Sequence, residues 1–305
     1  MAIHANENGH FLTVLTPAYN RAGQLNQLWA SLCAQTDRDF VWLVVDDGST
    51  DGTDEVMRRL AGDSPFPVIC LSKPNGGKHT ALNLGMGRVD TPLTFIVDSD
   101  DTLTPDAVAR IREVHTAYAA DEGVCGYSFL RAFPDGTVNG KPFPQEEWRA
   151  TYIDARINAH DTMSDKAEVY KTACLKEFPF PEFEGERFLG EDVVWIRMAR
   201  KYETVHVNHA IYVGEYQTDG LTSNRRKHNM RSPKGCTVRA KEFLYRDINL
   251  WSRTKAGVQY MLYGTLAGKT KRELYKDSPA KFLCLLSTLP AAILRRNWVK
   301  RYLKK

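Results

Sequence analysis

The first regular pattern in the chain is an apolar run, Phe11-Leu12-Thr13-Val14-Leu15-Thr16, followed by Leu25, Leu28, Trp29 and Leu32 at helical spacing. A β-rich run followed by a three-to-four-residue repeat predicts strand, loop, helix. The unit then repeats. Phe40-Val41-Trp42-Leu43-Val44-Val45 is apolar enough to be covered on both faces of a sheet. Val56, Met57 and Leu60 mark the helix after it. Pro67-Val68-Ile69-Cys70-Leu71 predicts a short third strand, and Ala81, Leu82, Leu84 and Gly85 a small-residue helix. Thr94-Phe95-Ile96-Val97 predicts a fourth strand, with Val108, Ile111 and Val114 on a helix beyond Pro105. Four such units in a row predict an α/β fold with a doubly wound, mainly parallel sheet flanked by helices.

The connecting loops carry the chemistry. Pro17-Ala18-Tyr19-Asn20-Arg21 is read as a loop, because proline cannot extend a central strand. The second strand runs into Asp46-Asp47-Gly48-Ser49-Thr50-Asp51-Gly52-Thr53. Its glycines mark a tight turn, and its hydroxyls and acids suit a helix cap. One carboxylate suffices for a cap, so the pair Asp46 and Asp47 is more than the turn requires. Lys73-Pro74-Asn75-Gly76-Gly77-Lys78 is Gly-rich and basic, suited to bringing backbone N–H groups and ammonium charge to an anion. The spacing of a Walker loop is absent. The fourth strand ends in Asp98-Ser99-Asp100-Asp101, three carboxylates within four residues. One reading is a solvated acidic turn that caps the next helix. The other is a site for a hard divalent cation, Mg²⁺ or Mn²⁺, which relieves the repulsion and shares its oxygens with a phosphate. Open α/β sheets put ligand crevices at this end of their strands.

Past the fourth unit the pattern is less regular. Residues 123–152 alternate short β-like runs with Pro and Gly, and residues 172–188 read as an exposed loop or lid. Gly190-Glu191-Asp192 precedes the apolar Val193-Val194-Trp195-Ile196. The acids fall in a helix's first turn, where the dipole favours them. The competing reading is a general base, its basicity raised by the apolar neighbours. Residues 206–212 predict another strand, and residues 215–223 a polar turn. These patterns divide the chain into residues 1–115, 116–224 and 225–305.

Composition changes this picture in one respect. The net charge of +4 conceals an asymmetry: residues 1–224 hold 20 Lys and Arg against 33 Asp and Glu, whereas residues 225–305 hold 21 against 4. A basic helical extension behind an acidic body predicts an anionic partner, or a basic surface folded back on the body. Phe282-Leu283-Cys284-Leu285-Leu286 next to Arg295, Arg296, Lys300 and Arg301 suits an interfacial membrane segment, with an ordinary packed helix as the alternative. The longest apolar run, residues 282–294, is shorter than the ~20 residues that a bilayer crossing needs. The first ten residues have no signal-peptide pattern. Six scattered cysteines without a CxxC pair predict free, mostly buried thiols in a reducing compartment.

Taken together, Thr16-Pro17-x-Tyr19-Asn20, Asp46-Asp47-Gly48-Ser49-Thr50-Asp51, Asn75-Gly76-Gly77, Leu82-Asn83, Asp98-Ser99-Asp100-Asp101 and Gly190-Glu191-Asp192 resemble the family 2 glycosyltransferases of GT-A fold. The resemblance covers about residues 10–224 and leaves the extension outside it. It implies an inverting enzyme that moves a sugar from a nucleotide-diphosphate donor, usually UDP-linked, to a glycan or lipid-linked hydroxyl. On this resemblance Pro17, Tyr19, Asn20 and Arg21, with Asp47 and Asp46, hold the base and ribose. Asn75, Gly76 and Lys78 lie near the nucleotide or diphosphate, and Asp98, with Ser99 beside it, faces the ribose. Asp100 binds Mn²⁺ or Mg²⁺, Asp192 is the base, and Glu191 orients it or touches the acceptor. The family's usual His in a Tyr-x-x-His turn is replaced: Tyr216-Gln217-Thr218 is followed by Asp219, which leaves Asp219, Arg225 or His228 to close over the diphosphate. The implied setting is surface-polysaccharide or glycolipid synthesis in the cytoplasm, with the extension at the inner face of the cell membrane.

Other classes are weighed against this. A nucleotidyltransferase wants a Gly-rich basic loop directly after the first strand, and a dehydrogenase wants G-x-G-x-x-G there; residues 17–21 contain no glycine. A non-catalytic nucleotide-sugar or glycan-binding module on the same fold is the main rival, since fold alone does not give function. Nucleic-acid binding by the extension is the less favoured use of its charge.

Overall fold

The computed structural model describes residues 9–159, 164–215 and 225–303. The repeating pattern folds as three strand–helix units and a fourth strand: β1 (Leu12–Ala18), α1 (Leu25–Cys33), β2 (Phe40–Asp46), α2 (Thr53–Asp63), β3 (Val68–Ser72), α3 (Lys78–Met86) and β4 (Leu93–Ile96). A two-residue strand β5 (Thr102–Leu103) precedes α4 (Ala107–Tyr118). These four main strands pair in parallel, in the order β3-β2-β1-β4. Every residue of β1 and β2 is buried, as strands covered on both faces require. Leu25, Leu28 and Leu32 of α1 and Met57 and Leu60 of α2 join the core on one face. On the other face α3 lies very close to β1, because a Cβ on Gly85 would stand 2.4 Å from the Leu15 side chain.

Pro17 corrects one expectation: it lies within β1, paired with Val45 of β2. The physical reason is that β4 pairs with β1 only as far as Leu15, so Pro17 has a strand on one side alone.

The second half completes the sheet with β6 (Val124–Ala132), β7 (Glu147–Ala150), β8 (Lys166–Lys171) and β9 (Glu203–Val213). β8 runs antiparallel between β4 and β6, while β9 is parallel to β6 and antiparallel to β5 and β7. Short helices α5 (Thr172–Lys176) and α6 (Asp192–Ala199) cover this half. Residues 172–188 are therefore not an exposed loop throughout: Thr172, Cys174, Leu175, Phe180 and Glu186 are buried. The six thiols are free, four of them buried.

The basic extension folds as α7 (Arg225–Arg231), α8 (Pro233–Glu242), α9 (Leu250–Leu266), α10 (Lys271–Asp277) and α11 (Lys281–Trp298) around Leu244, Tyr260, Leu274 and Cys284. It packs on the body through Ile248, which joins Ile153, Ile157, Ile196 and Ala199. Polar contacts fix the same seam. Glu242 pairs with Arg197 and Arg200 of the body, and Glu186 accepts the Lys234 and Gly235 N–H groups at the start of α8. A carboxylate at a helix N-terminus satisfies N–H groups that have no partner within the helix.

Candidate functional site

Two loops at the C-terminal ends of β1 and β2 are stitched together. The Asn20 N–H donates to Ser49 Oγ at 2.8 Å, the Thr50 N–H donates to Asn20 Oδ1 at 2.9 Å, and the Arg21 N–H donates to Thr53 Oγ1 at 2.9 Å. Asn20 takes a left-handed backbone, φ 53°, a conformation its short polar side chain tolerates better than most. Tyr19 projects into solvent beside it. Asp46 is buried and accepts the Ser49 N–H and hydroxyl.

Asp47 reaches across to the Gly-rich loop after β3. Its Oδ1 accepts from Lys73 Nζ at 2.8 Å and the Gly76 N–H at 2.9 Å, and its Oδ2 accepts the Gly77 N–H at 2.7 Å. The carboxylate thus shapes the Gly-rich loop, which starts α3. Gly77 is required there: its φ is 94°, and a Cβ would stand 2.0 Å from the Arg187 carbonyl. A cavity of about 420 Å³ lies between this loop, at Asn75 and Gly76, and residues 182–187.

The acidic tip of β4 lies beside the loop after β1, with Arg21 within reach of Asp100. Asp98, Asp100 and Asp101 each place one oxygen within 4.8 Å of the others. Asp101 is committed inward, 2.9 Å from Arg131, where a Cβ on Gly214 would meet it at 1.7 Å. Burial and the neighbouring Asp98 push its carboxyl up to about 7, against the pull of Arg131. Ser99 is buried, and the Asp98 N–H donates to the Tyr212 hydroxyl at 2.9 Å. Asp98 and Asp100 remain partly open, with Lys78 on the first and Arg21 3.6 Å from the second. Adjacent hard oxygen donors, two of them partly open, fit a divalent cation.

Lys78 connects this tip to the acids before α6. Its Nζ lies 2.5 Å from Asp98 Oδ1 and 2.6 Å from Glu191 Oε1. Residues 93 positions apart therefore share one cleft. Burial pulls Lys78 toward the neutral amine; Asp98 and Glu191 outweigh it and hold the ammonium charged. Burial raises the Glu191 carboxyl, against the attraction of Lys78.

Asp192 begins α6 and is gripped by a residue of the extension. Arg239 Nε lies 2.7 Å from Oδ1 and 2.9 Å from Oδ2, and its terminal nitrogen 2.5 Å from Oδ2. Gly190 leaves room for the pair, since a Cβ there would stand 2.8 Å from Asp192 Oδ1 and 2.9 Å from Arg239 Cδ. No motif points to Arg239; only the excess of basic residues after position 224 hints that one of them reaches an acid. His228 stacks on Phe188 with ring centroids 5.9 Å apart, and Arg225 starts α7. Residues 216–219, including Asp219, lie outside the described residues.

A mixed sheet with a parallel first half and acids at its strand ends, a Gly-rich loop nearby and a second acidic turn across the cleft defines a GT-A-type α/β protein. Residues 13–162 match the model of glycosyl transferase family 2, and this stretch of the chain is a domain of that family. It is 39% identical over 151 residues to the chondroitin synthase of Pasteurella multocida, a match over 49% of this chain and 15% of that protein. The chain spans less than half the length of the curated relatives it matches. Among solved structures, the S. aureus TarS fragment 1–349 in complex with UDP-GlcNAc superposes with a TM-score of 0.62 at 16% identity, covering 95% of this chain and 92% of that one. The mannosyltransferase PcManGT from Pyrobaculum calidifontis, in complex with GDP-Man and Mn²⁺, gives 0.53 at 18% identity over 99% and 85%. At these identities the likeness establishes the fold, including the extension.

Proposed function

We propose that the chain is an inverting glycosyltransferase that moves a sugar from a UDP-sugar to a hydroxyl acceptor on a glycan or lipid-linked sugar. The observation that carries this is Lys78 spanning Asp98 and Glu191, which joins the donor-side strand tip to the acceptor-side turn. Pro17, Tyr19, Asn20 and Arg21, with the Asp46 turn, form the nucleoside side. Asp47 acts by shaping the Asn75–Gly76–Lys78 loop beside the diphosphate. Asp100, with Asp98, would hold Mn²⁺ or Mg²⁺, and a cation there would supply Lewis-acid neutralisation of the departing diphosphate's charge. Lys78 and Arg21 are the chain's own cations for that charge, released from Asp98 and Asp100 as the donor binds.

Asp192 takes the proton of the acceptor hydroxyl. Arg239 occupies part of its lone-pair capacity and fixes its plane, and a carboxylate with about four acceptor sites keeps one for the hydroxyl. Glu191 lines the acceptor side. The related chondroitin synthase, and the UDP-GlcNAc held by the TarS fragment, support polysaccharide chemistry and a UDP-linked donor.

A panel of nucleotide-sugars assayed with Mn²⁺ or Mg²⁺ tests the reading. Asp192→Asn should lower transfer by roughly 10²–10⁴-fold while UDP affinity changes little. Asp100→Asn should weaken both donor affinity and metal dependence. A protein that binds UDP but never turns over any donor, with or without metal, is instead the non-catalytic module.

A further inference from the structure

We propose that α11 is a membrane-docking helix that lies flat on an anionic phospholipid surface. Phe282, Leu285, Leu286, Leu289 and Ile293 are between 55% and 71% exposed. At 100° per residue they fall within an arc of about 100° and form a stripe about 16 Å long. The opposite face, Cys284, Ser287 and Ala291, is buried against the extension's core. The helix is thus held in place by one side and presents a continuous apolar face on the other. Such a face on a soluble surface marks an interaction site.

Charge decides what covers it. Where α11 ends, a groove of about 430 Å³ is lined by Lys271, Arg295, Arg296 and Lys300. The extension has four acids to oppose its bases, and each is engaged elsewhere. Glu242 holds Arg197 and Arg200, Asp247 holds Arg200, Glu273 caps α10, and Asp277 holds Lys241. Positive charge at the edge of an apolar stripe matches a headgroup phosphate above an acyl layer. It does not match a second copy of this helix, whose like charges would meet. No helix among the described residues is long and apolar enough to cross a membrane, so the contact is interfacial. The surface stands apart from the proposed transfer reaction, although a lipid-linked acceptor would be reached from such a position.

Flotation of the full chain with vesicles tests this without any turnover assay. Vesicles of 70:30 phosphatidylcholine and phosphatidylglycerol should carry the protein, and pure phosphatidylcholine should not. Each basic residue at the surface contributes about fivefold, so Arg295→Glu with Arg296→Glu should reduce binding at least 25-fold and flatten its salt dependence. Leu286→Ser with Leu289→Ser should also release the protein while the melting temperature stays unchanged, because both side chains are exposed. Millimolar inorganic phosphate should not displace it. Equal binding to neutral vesicles overturns the proposal. So does absence of vesicle binding, whether the face instead mediates self-association in sedimentation velocity or takes up an oligonucleotide.

Discussion

Asp192 and Arg239 put the chemistry of the candidate site into one contact. A guanidinium that meets a carboxylate through two nitrogens fixes its plane as well as its charge, which an ammonium cannot do. Arg239 is therefore read as a positioning residue. Arg239→Ala should lower kcat by roughly 10–100-fold with little change in donor KM, in line with the cost of a misplaced catalytic group. Arg239→Lys should restore only part of that loss. Full activity in Arg239→Ala, measured over a pH series, would remove Arg239 from the mechanism. The acids of this site were legible as motifs because each sits where a strand or helix begins or ends. Arg239 was not, because 47 positions and an unpatterned basic stretch separate it from its partner. The reach of Asp47 to the Gly-rich loop was equally hidden: two of its three partners are backbone N–H groups, which carry no residue identity.

The elements were legible in proportion to how local their burial pattern is. β1 and β2 announce themselves because parallel strands covered on both faces read as nearly continuous apolar runs. β8, Lys166-Ala167-Glu168-Val169-Tyr170-Lys171, sits centrally between β4 and β6 yet reads as polar. Its buried Lys166 donates to the Ser164 hydroxyl, and Glu168 lies 3.6 Å from Arg156. Satisfied polar groups thus occupy positions where periodicity expects hydrophobes. β9 carries a similar disguise in His206, packed between Phe143 and Trp148 and facing the charges of Arg156 and Lys166. Burial drives its imidazole down to about 3, from an ordinary 6.5. The sign follows directly. Below pH 6.5 the unfolded chain takes up a proton that the folded chain refuses, so stability falls as pH drops toward 3. At ~1.4 kcal/mol per pH unit, lowering the pH from 6.5 to 4.5 should cost about 2–3 kcal/mol at this residue. His206→Phe should flatten that slope in melts at the two pH values; an unchanged slope would mean that other groups govern acid sensitivity.

For the whole molecule, the charge asymmetry pointed to an anionic partner or to a basic surface folded back on the body, and gave the form of neither contact. The seam includes a pairing of reversed sign, with acidic Glu242 of the extension held by Arg197 and Arg200 of the body. Ile248 meanwhile closes a cluster that Ile196 and Ala199 would otherwise expose. Removing residues 225–305 should therefore leave a body that aggregates and has lost transfer, even though every recognisable motif lies before position 224. Solubility and donor turnover of residues 9–224, set against the full chain, check this; a soluble and active body would make the extension dispensable. The salt bridge across that seam also has a meaning in time. During translation the donor-side loops, the acidic strand tip and Asp192, the proposed base, all leave the ribosome before Arg239. On the proposed mechanism, the polypeptide therefore gains its aligned base only once the extension has folded back on the body, so that efficient glycosyl transfer waits for the last helices to pack.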